Sequence, residues 1–172
     1  MKKINNKGFT LVEVLAVIVI IAIIGMIAVP NVINSINTGK KASYDILVED
    51  ITIAGKQLFE EVTFVGSVPN YDDDIDGKPN GEVTIVNDSI TVTLQTLVSN
   101  GFLTGINNPN KDGENKNAKI ITNPKNNEDI GKCKITITKT VDNNYNTSYE
   151  IKNNSTSNNN CPTDTEYAKV IK

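Results

Sequence analysis

An unbroken apolar run near the N-terminus constrains the fold more than any other feature. It extends from Phe9 to Val29 and stops at Pro30. Its 21 residues would rise roughly 32 Å as an α-helix, close to the hydrocarbon thickness of about 30 Å in a bilayer. A secretory signal has an apolar region of only about 7–15 residues. The run therefore predicts a transmembrane helix.

The charges around this run predict its orientation. Lys2, Lys3 and Lys7 precede it, whereas Asn31 to Gly39 carry no charge. Positive flanks stay on the cytoplasmic side, so we expect the N-terminus in the cytoplasm and the bulk of the chain outside the cell. A plain signal anchor, one helix tethering a surface domain, would account for this pattern.

Glu13 is harder to explain as part of a simple anchor, because it is the only charged residue between Phe9 and Val29. An ionised side chain at the centre of a bilayer helix costs about 2.5–3.5 kcal/mol on insertion scales. A protein that keeps such a charge usually provides a partner for it.

The segment Gly8-Phe9-Thr10-Leu11-Val12-Glu13 resembles the start of type IV pilins and of the pseudopilins of type II secretion and competence systems. The resemblance implies that a prepilin peptidase cuts between Gly8 and Phe9 and then N-methylates Phe9. It also implies that Glu13, the fifth residue of the mature chain, serves filament assembly.

Cleavage would expose a cationic amine on Phe9. In a low-dielectric stack of helices, pairing this amine with Glu13 of a neighbouring subunit offsets much of the desolvation cost of both charges. We expect this pair to set the axial register of the subunits.

The resemblance and the patterning together predict an α+β fold of pilin type, in which a long N-terminal helix packs on a small antiparallel β-sheet. Gly25 and Pro30 predict a kinked or locally unwound stretch. The expected organisation is a leader (1–8), a transmembrane and polymerisation helix (9–30), the amphipathic half of the same helix (31–65), and an exported β-rich domain (66–172).

Within the exported domain, alternating patterns predict short elements. We expect a short helix over Leu94–Ser99 that is stopped by Gly101, and a hairpin formed by 133–141 and 147–152. We also expect a hairpin or a bent strand formed by 82–86 and 90–93 around Asn87-Asp88, a strand at 118–122 and an edge strand at 167–171.

The composition disfavours several functions. The chain has no histidine, all 17 basic residues are lysine, and the net charge of −3 becomes −6 once the three leader lysines are removed. An acidic domain is poorly suited to direct nucleic-acid binding. Because no phosphate-binding loop or nucleophile arrangement is visible, we expect no enzymatic activity and no catalytic residues.

Cys133 and Cys161 are the only cysteines, and both belong to the exported part. A pair of cysteines outside the cell suggests a disulfide, and the alternative is two free thiols. A C-terminal disulfide loop is also common in the resembled family.

An acidic segment contains Asp72, Asp74, Asp76 and Gly77, a pattern of oxygen ligands that suits calcium. Position 12 of such a loop is Val83 rather than glutamate, so a solvated acidic loop is the alternative interpretation. Calcium is the one cofactor that the sequence suggests.

The leading hypothesis is a structural subunit of a type IV pilus that assembles with copies of itself for adhesion, motility or aggregation. It would lie in the cell membrane first and on the cell surface after assembly. The alternatives are a pseudopilin of a secretion or DNA-uptake system, a low-copy adhesin at a pilus tip, and a monomeric membrane-tethered domain.

Overall fold

The structure is a computed structural model that describes residues 9–71, 79–107, 119–155 and 160–170 of the 172-residue chain. Gly8 of the expected cleavage site and the proposed calcium ligands Asp72, Asp74 and Asp76 lie outside these residues. The expected α+β architecture is confirmed: a long N-terminal helix packs against small antiparallel sheets.

Helix α1 spans Leu11–Val65, which is 55 residues. The helix continues through Gly25 and Pro30 without interruption, so the local unwinding that we considered there does not occur. A kink at these two residues stays a prediction. Gly66 follows the last turn with φ +92°, and its N–H donates to the Val62 carbonyl oxygen at 2.9 Å. This glycine ends the helix because it adopts the left-handed conformation at no steric cost.

The chain divides into two compact units, Met1–Lys40 and Lys41–Lys172. The part of α1 in the second unit has one buried face, and the spacing of its apolar residues follows the helical period. The buried side chains include Tyr44, Val48, Ile51, Ala54, Leu58, Phe59 and Val62.

The main sheet has three antiparallel strands in the order β3-β6-β7, which span Ser89–Thr93, Lys134–Val141 and Thr147–Asn153. The predicted hairpin of β6 and β7 is confirmed, with Ile137 opposite Ile151. Alternate residues of each strand enter the core with α1, including Ile90, Ile135 and Ile137. The other face carries paired hydroxyls, such as Thr91 with Thr136 at 2.9 Å.

Gly55 lets α1 approach this sheet closely. A Cβ atom placed there would lie 3.2 Å from Cδ1 of Ile151 and 3.3 Å from Cδ1 of Ile137. Glycine weakens a helix by about 1 kcal/mol relative to alanine. Its use at this position is explained by the two isoleucine side chains that occupy the space of a larger residue.

Two small sheets flank the main one. β1 (Val68–Asn70) pairs with β2 (Gly81–Val83), and β4 (Ile106–Asn107) pairs with β5 (Lys119–Ile120). We expected a hairpin or bent strand around Asn87 and Asp88. Both residues have positive φ and form a tight turn closed by the Val86–Ser89 bridge. The ladder partner of β2, however, is β1.

Helix α2 spans Leu94–Ser99, as predicted. Thr93 is its N-cap and accepts a hydrogen bond from the Thr96 N–H. Gly101 follows the C-cap residue Asn100 with φ +83°. The helix therefore ends just before Gly101, as predicted from the sequence.

The expected edge strand at 167–171 was wrong, because Asp164–Val170 form a third helix, α3. Thr163 and Glu166 explain the difference. The Thr163 N–H donates to Oε2 of Glu166 at 2.8 Å, and the Glu166 N–H donates to the Thr163 carbonyl oxygen at 2.9 Å. A threonine followed three residues later by glutamate is a helix-start signature that outweighed the short apolar alternation.

Glu166 also links α3 to α1 through a hydrogen bond. The Tyr44 hydroxyl donates to Oε2 of Glu166 at 2.9 Å. The Lys125 ammonium lies 3.5 Å from Oε1 of Glu166 and 3.3 Å from the centre of the Tyr44 ring. Partial burial would raise the pKa of Glu166. The hydrogen bonds from Thr163 and Tyr44 and the charge of Lys125 outweigh it and hold the pKa below its ordinary value.

Loss of the hydroxyl group should change the free energy of unfolding differently at the two tyrosines of this junction. The Tyr44 hydroxyl bonds a carboxylate, so Tyr44→Phe should lower the free energy of unfolding by about 1–2 kcal/mol. The Tyr167 hydroxyl is buried and has no hydrogen-bond partner among the described residues, so Tyr167→Phe should be neutral or stabilise by about 1 kcal/mol.

Chemical denaturation of the full chain in detergent at pH 7 measures both effects. Because the pKa of Glu166 is lowered in the folded state, its contribution is present above its unfolded pKa and is lost as the pH falls through the folded value. The cost of Tyr44→Phe should therefore shrink in acid. An equal loss in both variants would contradict this assignment.

Candidate functional site

The N-terminal junction holds the residues that the sequence singled out. Phe9 precedes α1 and is 86% exposed. The Thr10 N–H donates to Oε2 of Glu13 at 2.8 Å, and the Thr10 hydroxyl lies 2.9 Å from the same oxygen. The Glu13 N–H lies 3.3 Å from Oγ1 of Thr10. The two side chains thus form a reciprocal cap at the start of the helix.

This cap changes the interpretation of Glu13. Its carboxylate lies in the first turn of α1, where the unpaired N–H groups and the helix dipole favour a negative charge. It also accepts hydrogen bonds within its own chain. Burial of this carboxylate in an apolar environment is therefore less costly than for an isolated charge at the centre of a span. The Thr10-x-x-Glu13 spacing is a capping box that sequence reasoning did not use.

From Phe9 to Val29, the first unit of the structure exposes an almost entirely apolar helix surface. Large apolar side chains from Phe9 to Ile36 are exposed to 48–86% of their area. Among the described residues, α1 is the one helix long and apolar enough to cross a membrane, with a mean hydropathy of 3.1 in its most apolar window. Such a surface needs lipid or other apolar helices around it.

Three polar side chains that follow Pro30 are hydrogen-bonded along the helix itself. The side chain of Asn31 donates to the Ile27 carbonyl oxygen at 3.2 Å, and those of Ser35 and Thr38 donate to carbonyl oxygens four residues earlier. Because these groups find acceptors within α1, they are compatible with an environment that offers little water.

Cys133 and Cys161 form the expected disulfide, with Cα atoms 5.7 Å apart. Both residues are buried, with 1% and 5% of their surface exposed. The bond joins the start of β6 to the segment that leads into α3. It therefore holds the C-terminal helix beside the junction of Tyr44 and Glu166.

The calcium prediction stays untested, because Asp72, Asp74 and Asp76 lie outside the described residues. Within the described residues, no group of three or more histidine, cysteine, aspartate and glutamate side chains is arranged to hold a metal ion.

Comparison with known proteins agrees with the N-terminal geometry. The family model for the prokaryotic N-terminal methylation motif matches residues 3–29. No curated protein and no solved structure matches the chain. The chain therefore carries the N-terminal signature of type IV pilins and other prepilin-type proteins. This signature implies processing by a prepilin peptidase, and the apolar helix fits insertion in a membrane before assembly.

The disulfide yields a prediction about stability. It links residues 28 positions apart, and in the chain-entropy model a loop of this size contributes about 3–4 kcal/mol. The double variant Cys133→Ala, Cys161→Ala should lose about that much free energy of unfolding. Denaturant titration measures the loss, and dithiothreitol should destabilise the wild type but leave the double variant unchanged. A double variant as stable as wild type would contradict the assignment.

Proposed function

We propose that this chain, which carries the N-terminal signature of type IV pilins, is a structural subunit of a type IV pilus. The subunit polymerises through the first half of α1 and serves adhesion, motility or aggregation at the cell surface. In this proposal it has no catalytic activity and acts only through assembly and binding. Its partners are copies of itself, the membrane, the prepilin peptidase and the pilus assembly machinery.

The observation that carries the proposal is the exposed apolar surface of the first unit, together with the capped Glu13 at its start. A monomeric anchor needs the apolar surface, and a neutral residue at position 13 would cap its helix as well. An ionisable carboxylate in an apolar span is what assembly with a neighbouring amine would require. In a filament, the same surface is covered by the α1 helices of neighbouring copies.

In this proposal, Glu13 has one role before assembly and another during assembly. Before assembly, its carboxylate accepts the hydrogen bonds of Thr10 and caps α1. During assembly, it accepts the Phe9 amine of a neighbouring subunit as an ion pair in a medium of low dielectric constant. The cap lowers the free-energy cost of an ionised Glu13 carboxylate in an apolar environment before a neighbouring subunit binds.

A pseudopilin of a secretion or DNA-uptake system would have the same N-terminal motif and apolar helix. A low-copy tip adhesin would have them too. The buried disulfide favours a subunit that must persist outside the cell, because it strengthens the C-terminal part of the domain. The copy number of the chain in sheared surface filaments separates these candidates.

Glu13→Gln tests the charge of this residue apart from its capping role. Glutamine still reaches back to the N-cap N–H, so the capping box survives, but it is neutral and cannot form an ion pair with the Phe9 amine. We expect normal cleavage and membrane insertion, with at least tenfold fewer filaments in sheared fractions. Thr10→Ala is the matched variant, because it weakens the cap and keeps the charge, and it should retain most filaments. Normal assembly of Glu13→Gln would refute the register role.

The mature N-terminus provides a second test. Mass spectrometry of the membrane or filament protein should find Phe9 as the first residue, carrying one methyl group. Gly8→Ala replaces the residue at the cleavage site, so its product should keep the leader and remain in the membrane. An unprocessed wild-type chain would favour the monomeric anchor.

A further inference from the structure

Strand β7 is an edge strand, because the main sheet has the order β3-β6-β7. The Asn154 N–H donates to the Lys134 carbonyl oxygen at 2.8 Å, and the Asp142 N–H donates to the Asn146 carbonyl oxygen at 3.0 Å. In an antiparallel pair, residues bonded to the partner strand alternate with residues whose backbone groups point away from it. The even-numbered residues of β7 therefore bond β6, and the odd-numbered residues direct their N–H and C=O groups outward.

This outer edge is closed at one end and open in its middle. The Asn153 N–H donates to Oδ1 of Asp164, the first residue of α3. Within the described part of the chain, the outward N–H groups of Tyr149 and Ile151 meet no hydrogen-bond acceptor. Unpaired backbone groups along a strand edge are a template for a further strand.

A groove of about 440 Å³ follows the open part of the edge. Its volume falls within the range of sites that bind ligands, about 300–1,000 Å³. Ile151 and Ala168 contribute apolar side chains, whereas Ser148 and Thr165 contribute hydroxyls. One wall is β7 and the other is α3, and the lining residues are Ser148, Tyr149, Glu150, Ile151, Lys152, Asp164, Thr165 and Ala168.

The charged side chains of the groove already interact within the unit. Oε2 of Glu150 lies 3.0 Å from the Lys152 ammonium, and the Asp164 carboxylate accepts the Asn153 N–H. Charge therefore contributes little to the choice of ligand. Backbone hydrogen bonds and the burial of small apolar side chains remain as the attractive interactions.

We propose that this groove binds an extended segment of another polypeptide, which adds to the sheet as a strand beside β7. The outward backbone groups of β7 recur at every second residue, a spacing that another extended backbone matches. Addition of a peptide strand to an exposed sheet edge is a general mode of peptide recognition, in which side-chain pockets give specificity. The segment should carry small or β-branched apolar side chains at alternate positions, facing Ile151 and Ala168. This role of the folded domain is separate from assembly through α1.

A second copy of the chain fits the groove less well than a single strand. Helix α3 lies on the face of the sheet that packs on α1, because the Tyr44 hydroxyl donates to Glu166 and Tyr167 is buried. Two β7 strands paired antiparallel would bring both α3 helices to the same face of the joined sheet. The two helices would then compete for one space, whereas an extended segment brings no helix with it.

A synthetic peptide tests the groove. The probe is a fluorescent heptapeptide, Lys-Thr-Val-Thr-Val-Thr-Lys, with blocked ends. Fluorescence anisotropy with the full-length chain in nanodiscs of zwitterionic lipid should show saturable binding below about 1 mM peptide, a weak affinity typical of a small interface. Empty nanodiscs should not bind it. Binding should slow hydrogen exchange of the segment 147–152.

Methylation of the peptide backbone distinguishes strand pairing from simple burial of side chains. Successive N–H groups of a strand point to opposite sides, so methyl groups on the two valine nitrogens and on two threonine nitrogens block opposite edges. One of these two peptides should bind at least tenfold more weakly, and the other should bind within about threefold of the parent peptide. Equal binding of the two would overturn strand addition.

Variants of α3 locate the site. Ala168→Arg and Thr165→Arg place a long side chain in the groove at exposed positions. Each should keep the melting temperature within about 2 °C of wild type and weaken peptide binding at least tenfold. Thr84→Arg is the matched control, because it adds the same charge at an exposed residue in a separate groove beside β3. It should bind like wild type.

Three results would overturn the proposal. The first is the absence of saturable binding to wild type up to about 1 mM peptide, where a weak strand-addition site should be occupied. The second is equal weakening by Thr84→Arg and Ala168→Arg, which would mean that the peptide responds only to charge. The third is protection of segment 147–152 from exchange in concentrated wild type without peptide, which would make a second copy the occupant.

Discussion

The whole structure depends on one helix whose two halves need different surroundings. The second half of α1 buries one face beneath a three-stranded sheet, with Gly55 allowing close contact to Ile137 and Ile151. The first half exposes its apolar residues. The hydrophobic effect therefore stabilises the domain at one level of the helix and demands lipid or other subunits at another.

The sequence predicted those elements whose signals are local and strong. The length of α1, the stop of α2 at Gly101 and the β6–β7 hairpin each follow from apolar periodicity and from glycine or turn residues. The predictions around β2 and α3 depended on weaker patterns. β2 pairs with β1 across a long connection that no local rule specifies. The apolar residues of α3 fit a strand as well as one helical turn, and the Thr163–Glu166 cap decides between them.

The candidate site was predicted in its residues but not in its geometry. Phe9 and Glu13 were found through an N-terminal motif, which the family model also matches. The role of Thr10 was not predicted, although its spacing of three residues from Glu13 is the signal of a capping box. The high exposure of Phe64 and Tyr145, at 89% and 90%, could not be predicted, because burial depends on where the hairpin packs along α1, which is a long-range property.

The disulfide between Cys133 and Cys161 makes the chain between them a closed covalent ring that contains the whole β6–β7 hairpin. A single backbone cut anywhere in this ring leaves the protein in one covalent piece. The strand ladder and the buried half-cystines would still hold both cut ends in place. A subunit exposed to proteases outside the cell could therefore be nicked at the Tyr145 turn without shedding a fragment.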